Sequence, residues 1–178
     1  MHLTEPFKSV AELAALLQRG IAAPHLWPAF ERTLGAAFGH TLFTVLAFDA
    51  GNNRMRRVHS NRQDVSPTGG AKAVTDSSWT RHVLRDGKIF VGANKADLKV
   101  FSEHELLWSI GCESTLNIPV RKDGVTVGTL NLLDRAGQYD GYSMEAALVF
   151  AQFAADPLAG FLASAPAGPS DDVRLEHV

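Results

Sequence analysis

One stretch constrains this chain more than any other: two apolar runs joined by a charged turn. Ser114 to Val120, the turn Lys122-Asp123-Gly124 and Val125 to Leu133 read as strand, turn and strand. Three residues in it have readable reasons. Pro119 disfavours a paired amide, Gly124 permits a positive φ, and Gly128 allows close packing over a strand. A hairpin of this kind presents an apolar face that other elements must cover.

The rest of the chain supplies those elements. Ser9 and Glu12 form a capping box for an amphipathic helix through Val10, Leu13, Leu16 and Leu17, with Gly20 as its stop. Pro24 and Pro28 stand at the entrance of a second helix bearing Leu26, Phe30, Leu34 and Phe38. Thr41 to Phe48, the turn Asp49 to Asn53, and Arg54 to Ser60 read as a first hairpin, and 61–75 as a long loop.

Asp76 is expected to cap a helix in which Trp79 and Val83 share a face, before a short strand from Ile89 to Val91. Ser102 and Glu105 form a further capping box, for a helix with Leu106, Leu107 and Ile110. Ser143 caps a closing helix that Pro157 must kink. The expected domain is therefore 1–163, with a flexible tail over 164–178. Two hairpins with helices before, between and after them give an α+β sheet with at least one covered face.

Composition narrows the partners. A chain of 178 residues with 46% hydrophobic content can fill one continuous core. Its formal net charge of -2 creates no basic field, so neither nucleic acid nor an acidic membrane is an expected partner. The lone Cys112 excludes an intrachain disulfide and a multi-thiolate metal site, and the cytoplasm is the expected location. No secretion signal or anchor is read at the start, and no later stretch is expected to reach the roughly 18 apolar residues of a membrane span.

The second hairpin also carries a resemblance. Gly111-Cys-Glu-Ser-Thr-Leu-Asn-Ile-Pro-Val120, followed by Asp123-Gly-Val-Thr-Val-Gly-Thr-Leu-Asn-Leu132, resembles the GAF domain family, from about Leu42 to Leu162. The resemblance implies a GAF-like, PAS-related central antiparallel sheet of five to six strands. Terminal helices would cover one face, and the helical excursion between the hairpins would roof a ligand pocket on the other. It also implies a homodimer.

Three family functions meet departures. Cyclic-nucleotide-binding members carry Asn-Lys, a gap, Phe, three residues and Asp-Glu; Asn94-Lys95 and Phe101 imitate the opening, but Glu105-Leu106 loses the final pair. Free methionine sulfoxide reductases resemble this chain in size but need several cysteines, and one thiol cannot form a resolving disulfide. Bilin-binding members often follow their cysteine with histidine, whereas Cys112 precedes Glu113.

Candidate ligand-binding residues come from the residues themselves. Strict alternation would send Arg57 and His59 to one face with Met55, offering an anion site; the competing reading is a charged, solvated edge. Thr115 and Asn117 alternate with apolar residues on one strand, and Thr129 and Asn131 on the next, so a polar row crosses both as a cavity lining or a hydrogen-bond ladder. Trp79 and Trp108 lie on the roofing helices, as pocket aromatics or core. His82 and Cys112 complete the set.

His59, His82 and His104 near Glu103, Glu105 or Glu113 match no compact metal motif, so no metal ligand is assigned and the cofactor stays unknown. Thr68 to Lys72 lacks the spacing of a phosphate loop. The leading expectation is a sensory or regulatory domain holding a small, anionic molecule, with no catalytic residue assigned. The alternatives are a small enzyme using metal or the single thiol, and a ligand-free dimerisation module.

Overall fold

A computed structural model describes residues 4–165 and 176–177. Two helices lead, α1 (Thr4–Gln18) and α2 (Ala23–Phe38), followed by the hairpin β1 (Leu42–Asp49) and β2 (Arg54–Ser60). A short strand β3 (Ala71–Ala73), a π-helical turn Thr80–Arg85, β4 (Phe90–Gly92), a 3-10 turn Asp97–Val100 and α3 (His104–Ser109) make up the excursion. The hairpin β5 (Ser114–Lys122) and β6 (Val125–Asp134) and the helix α4 (Glu145–Ser164) complete the domain.

The strands form one sheet in the order β4-β5-β6-β1-β2-β3, antiparallel throughout. Glu176–His177 (β7) runs parallel to β3 at the edge. The tail expectation otherwise falls on 166–175 and 178, outside the described residues.

The second hairpin forms for the reasons its sequence gives. Asp123 and Gly124 both adopt positive φ, 51° and 78°, the backbone of a tight two-residue turn between paired Lys122 and Val125. A Cβ at Gly128 would overlap the Leu46 carbonyl on β1 and press on Leu158 of α4. Only glycine lets these layers meet.

Alternation divides the sheet into two faces. Phe43, Val45, Leu116, Ile118, Leu130 and Leu132 join Phe30, Leu34, Phe38, Phe150 and Leu158 of the terminal helices in one core cluster. A second cluster on the opposite face gathers Leu42, Leu46, Met55 and Leu133 with Trp79, Val83, Leu98, Phe101 and Leu107 of the excursion. The excursion therefore roofs one face, and the terminal helices cover the other.

Several local expectations need correction. α1 begins five residues before Ser9, which is buried within it, while Glu12 pairs with Arg32 of α2 instead of capping. The 61–75 loop contains β3, whose pairing with β2 no local pattern announced. Ser77 and Thr80 cap the π-helical turn reciprocally, Ser77 N–H to Thr80 Oγ1 at 2.8 Å and Thr80 N–H to Ser77 Oγ at 3.1 Å. Asp76 instead pairs with Arg81 and Arg85. α3 has no side-chain cap, so the Ser102–Glu105 box does not form. Finally, α4 is long and apolar enough, by length and composition, to cross a membrane, although Ala147, Phe150, Ala154 and Leu158 pack into the core.

Candidate functional site

Between the sheet and its roof lies a cavity of about 50 Å³. At roughly 10–15 Å³ for each water-sized group, that space holds three to five. Its floor is the middle of the sheet, with Thr44 from β1, Thr115 and Asn117 from β5, and Asn131 from β6; its roof is Trp79, Phe101 and Leu107. Arg57 on β2, Lys72 on β3 and Glu103, just before α3, close one side together with Ser66.

The floor is a continuous hydrogen-bond network. The Trp79 indole Nε1–H donates to Asn117 Oδ1 at 3.0 Å, and Asn117 Nδ2 donates to Asn131 Oδ1 at 2.9 Å and Thr115 Oγ1 at 3.1 Å. Asn131 Nδ2 donates to Thr129 Oγ1 at 3.0 Å and Thr44 Oγ1 at 3.3 Å. Buried amides in the correct order satisfy one another, so this polar floor carries little desolvation cost. It also ties the roof to three strands.

The charged wall is different. Lys72 Nζ forms an ion pair with Glu103, the lysine side chain 7% exposed and the glutamate 19%. Burial opposes ionisation of Glu103, but the Lys72 charge and hydrogen bond outweigh it and hold the carboxyl below its ordinary range. Arg57, 9% exposed, donates from Nη1 to the Pro67 carbonyl at 3.1 Å. Among the described residues, two cations and one carboxylate therefore face a space lined otherwise by neutral groups.

Of the residues singled out from sequence, Arg57, Trp79, Thr115, Asn117 and Asn131 meet at this cavity, and Thr129 supports it through Asn131. His59 lies on the other face. The pairing of β1 with β2 shifts register so that Val45 faces His59 and Leu46 faces Arg57, leaving Val58 as an extra residue. This bulge cancels the alternation that would have put Arg57 and His59 together. His59 Nε2 instead contacts Glu31 of α2 at 2.8 Å, and its ring packs on Phe43.

The remaining candidates have local partners. His82 Nε2 donates to the Ile89 carbonyl at 2.9 Å, and His104 Nδ1 to the Phe101 carbonyl at 2.7 Å. Trp108 packs against the roof cluster, with the His104 ring at 4.8 Å and Lys95 Nζ at 5.8 Å from its own ring. Cys112 is fully buried in the same cluster, and burial pushes its thiol up to about 12. Among the described residues, no group of three or more His, Cys, Asp or Glu is arranged to hold a metal ion.

Sequence reasoning missed Lys72, Glu103 and Ser66 in the wall and Thr44 in the floor. Lys72 was hidden in a loop with no visible strand period, and Glu103 stood next to a plausible cap. The only available signal was the pattern Ala71-Lys72-Ala73, one long charged side chain between two small ones.

The sheet order, the roofed pocket and the second hairpin define a class. The family model for the GAF domain matches residues 10–158, and the chain belongs to the GAF domain family. Solved structures agree on the fold. The GAF domain of an Acinetobacter phosphoenolpyruvate-protein phosphotransferase is 12% identical, with a TM-score of 0.69 over 89% of this chain and 95% of that one. The chromophore-binding domain of an unusual bacteriophytochrome from R. palustris is 12% identical, with a TM-score of 0.67 over 92% of this chain and 64% of that one. A methyl-accepting chemotaxis protein, residues 122 to 287, is 13% identical, with a TM-score of 0.62 over 88% of this chain and 99% of that one. No curated protein matches the sequence.

Proposed function

We propose that this chain is a sensory or regulatory GAF domain that holds a small anionic molecule between the sheet and its roof. One observation carries the reading: among the described residues, Arg57 and Lys72 bring two buried cations and Glu103 one carboxylate to the wall of a cavity whose floor carries a polar row. Burying a charge is costly unless fixed charges and hydrogen bonds receive it, and a wall of this composition favours an anion over a cation. The cavity size favours a compact molecule such as formate or acetate.

Titration of the full chain with small carboxylates, phosphate and sulfate tests this, read by melting temperature and Trp emission. A binder at 100 times its Kd should stabilise the fold by about 2.7 kcal/mol. Arg57→Met should weaken that response. No saturable shift with any of these anions would sink the proposal.

A second reading concerns assembly, and the outer surface of α4 favours it. That helix carries Glu145, Gln152 and Asp156 on its outer face, yet Leu148 and Val149 stand among them 50% and 42% exposed. Beside it Phe7 of α1 is 75% exposed, over a groove lined by Pro6, Val10, Ala146 and Val149 with Ser143 and Glu145. We propose that α1 and α4 pair with the same helices of a second copy. Sedimentation should give a dimer that Leu148→Glu dissociates; a monomer at high micromolar concentration would refute it.

A further inference from the structure

The cations of the cavity wall and their carboxylate partner sit on elements of unequal freedom. Arg57 and Lys72 belong to β2 and β3, whose backbones are tied into the sheet: Met55 pairs with Lys72, and the Arg57 amide donates to the Gly70 carbonyl at 2.8 Å. Glu103 lies in the turn before α3, a helix of one and a half turns with no side-chain cap. Its side chain is also more exposed than that of Lys72, 19% against 7%, so it lies toward the rim while the ammonium lies inside. The floor amides, by contrast, are committed to one another and to Trp79. Among the described wall residues, Glu103 is the anionic group that can leave without unmaking the sheet.

We infer that Glu103 is an internal stand-in for the ligand, its carboxylate holding Lys72 until a small carboxylate enters and takes its place. This rests on the anion-binding reading of the cavity and adds its regulation. Displaced, Glu103 turns outward to solvent, the volume of its carboxylate joins the cavity, and the turn from Phe101 to His104 with α3 moves away from the sheet. Trp108 on α3 and Trp79 in the roof are placed to report that movement. Exchange of one carboxylate for another keeps a carboxylate on Lys72 in both states, so no buried ion pair is broken without replacement. It also makes the site respond to the concentration of free anion instead of holding it permanently, because the apparent affinity is reduced by the fraction of time the site is closed.

The test uses sodium acetate and the full chain at fixed ionic strength, by calorimetry and Trp emission. If Glu103 fills the site nine-tenths of the time, Glu103→Gln binds acetate about tenfold more tightly than the unaltered chain. Its melting temperature also rises more with acetate. Lys72→Met loses binding.

Acetate binding by the unaltered chain that Glu103→Gln leaves equal or weakens overturns the stand-in, while the anion-binding pocket survives. No binding by either the unaltered chain or Glu103→Gln overturns both. Should Glu103→Gln fail to fold, carbon-13 NMR of the Glu103 carboxyl in the unaltered chain decides. Saturating acetate must move its titration upward toward the ordinary carboxylate range, and a titration that stays in place overturns the inference.

Discussion

On the helix side of the sheet, β1, β5 and β6 present Phe43, Val45, Leu116, Ile118, Leu130 and Leu132, whereas on the roof side the same strands present Thr44, Thr115, Asn117, Thr129 and Asn131. Both sets are buried, so exposure does not distinguish them. The helix side is held by volume: contacts are numerous and non-directional, and a lost methylene leaves a void. The roof side has its own apolar cluster, Leu42, Leu46, Met55 and Leu133 against the excursion. To it is added a closed list of donors and acceptors, nearly neutral when complete and costly when one member is removed. A sheet built this way packs hydrocarbon on both faces and reserves the polar row of one of them to line a cavity.

The largest expected effect tests the helix side. Phe150→Ala should cost about 3–5 kcal/mol in denaturant unfolding, the toll of a large side chain removed from a packed core. A loss below about 1 kcal/mol would mean that this face is not the close-packed one.

Next comes the roof side. Asn117→Ala should cost about 1–3 kcal/mol by leaving the Trp79 indole N–H and the Asn131 amide oxygen without their partner, and should shift Trp emission. In a double-mutant cycle with Trp79→Phe the two losses should not add. Strict additivity would break the picture of one connected network.

A smaller effect comes from His40, at the end of the helix-side layer. Burial holds its imidazole below the ordinary value, against opposing pulls from Glu31 and Asp134. With the folded value lowered, the unfolded chain takes up the proton first as pH falls below about 6.5. The contribution is therefore intact above that range and is lost as pH drops toward the folded value. Unfolding free energies from pH 7.5 down to pH 5 should fall less in His40→Phe than in the unaltered chain.

The smallest effect belongs to Cys112. A fully buried thiol pushed up to about 12 should show no labelling by a disulfide reagent at pH 8 in the folded chain and full labelling once unfolded. Rapid labelling of the folded protein would restore the single-thiol enzyme as a reading.

How far the sequence reached depended on the range of the interaction. The strands and turn of the second hairpin were legible because turn chemistry and alternation are local rules, as the φ angles of Asp123 and Gly124 attest. The polar row was legible for the same reason, although nothing in the order of residues revealed that Trp79 would cap it from across the cavity. Arg57 was picked out together with His59, and the bulge at Val58 then parted them, since an extra residue in a strand leaves no mark in composition or period. Lys72 and Glu103 were considered only for a phosphate loop and a metal set, because a three-residue strand is too short to show periodicity and their meeting is not local.

By itself, then, the sequence determined the two hairpins, the terminal helices and the polar row that crosses β5 and β6 on one face of the sheet. These follow from the strand period of two and from turn chemistry, both of which act between near neighbours. Only the tertiary structure decided which charges share the cavity wall. Lys72 and Glu103 stand 31 residues apart and meet because β3 pairs with β2 while the excursion folds back over the sheet. Such a meeting is fixed by packing of whole layers, and no window along the chain contains it.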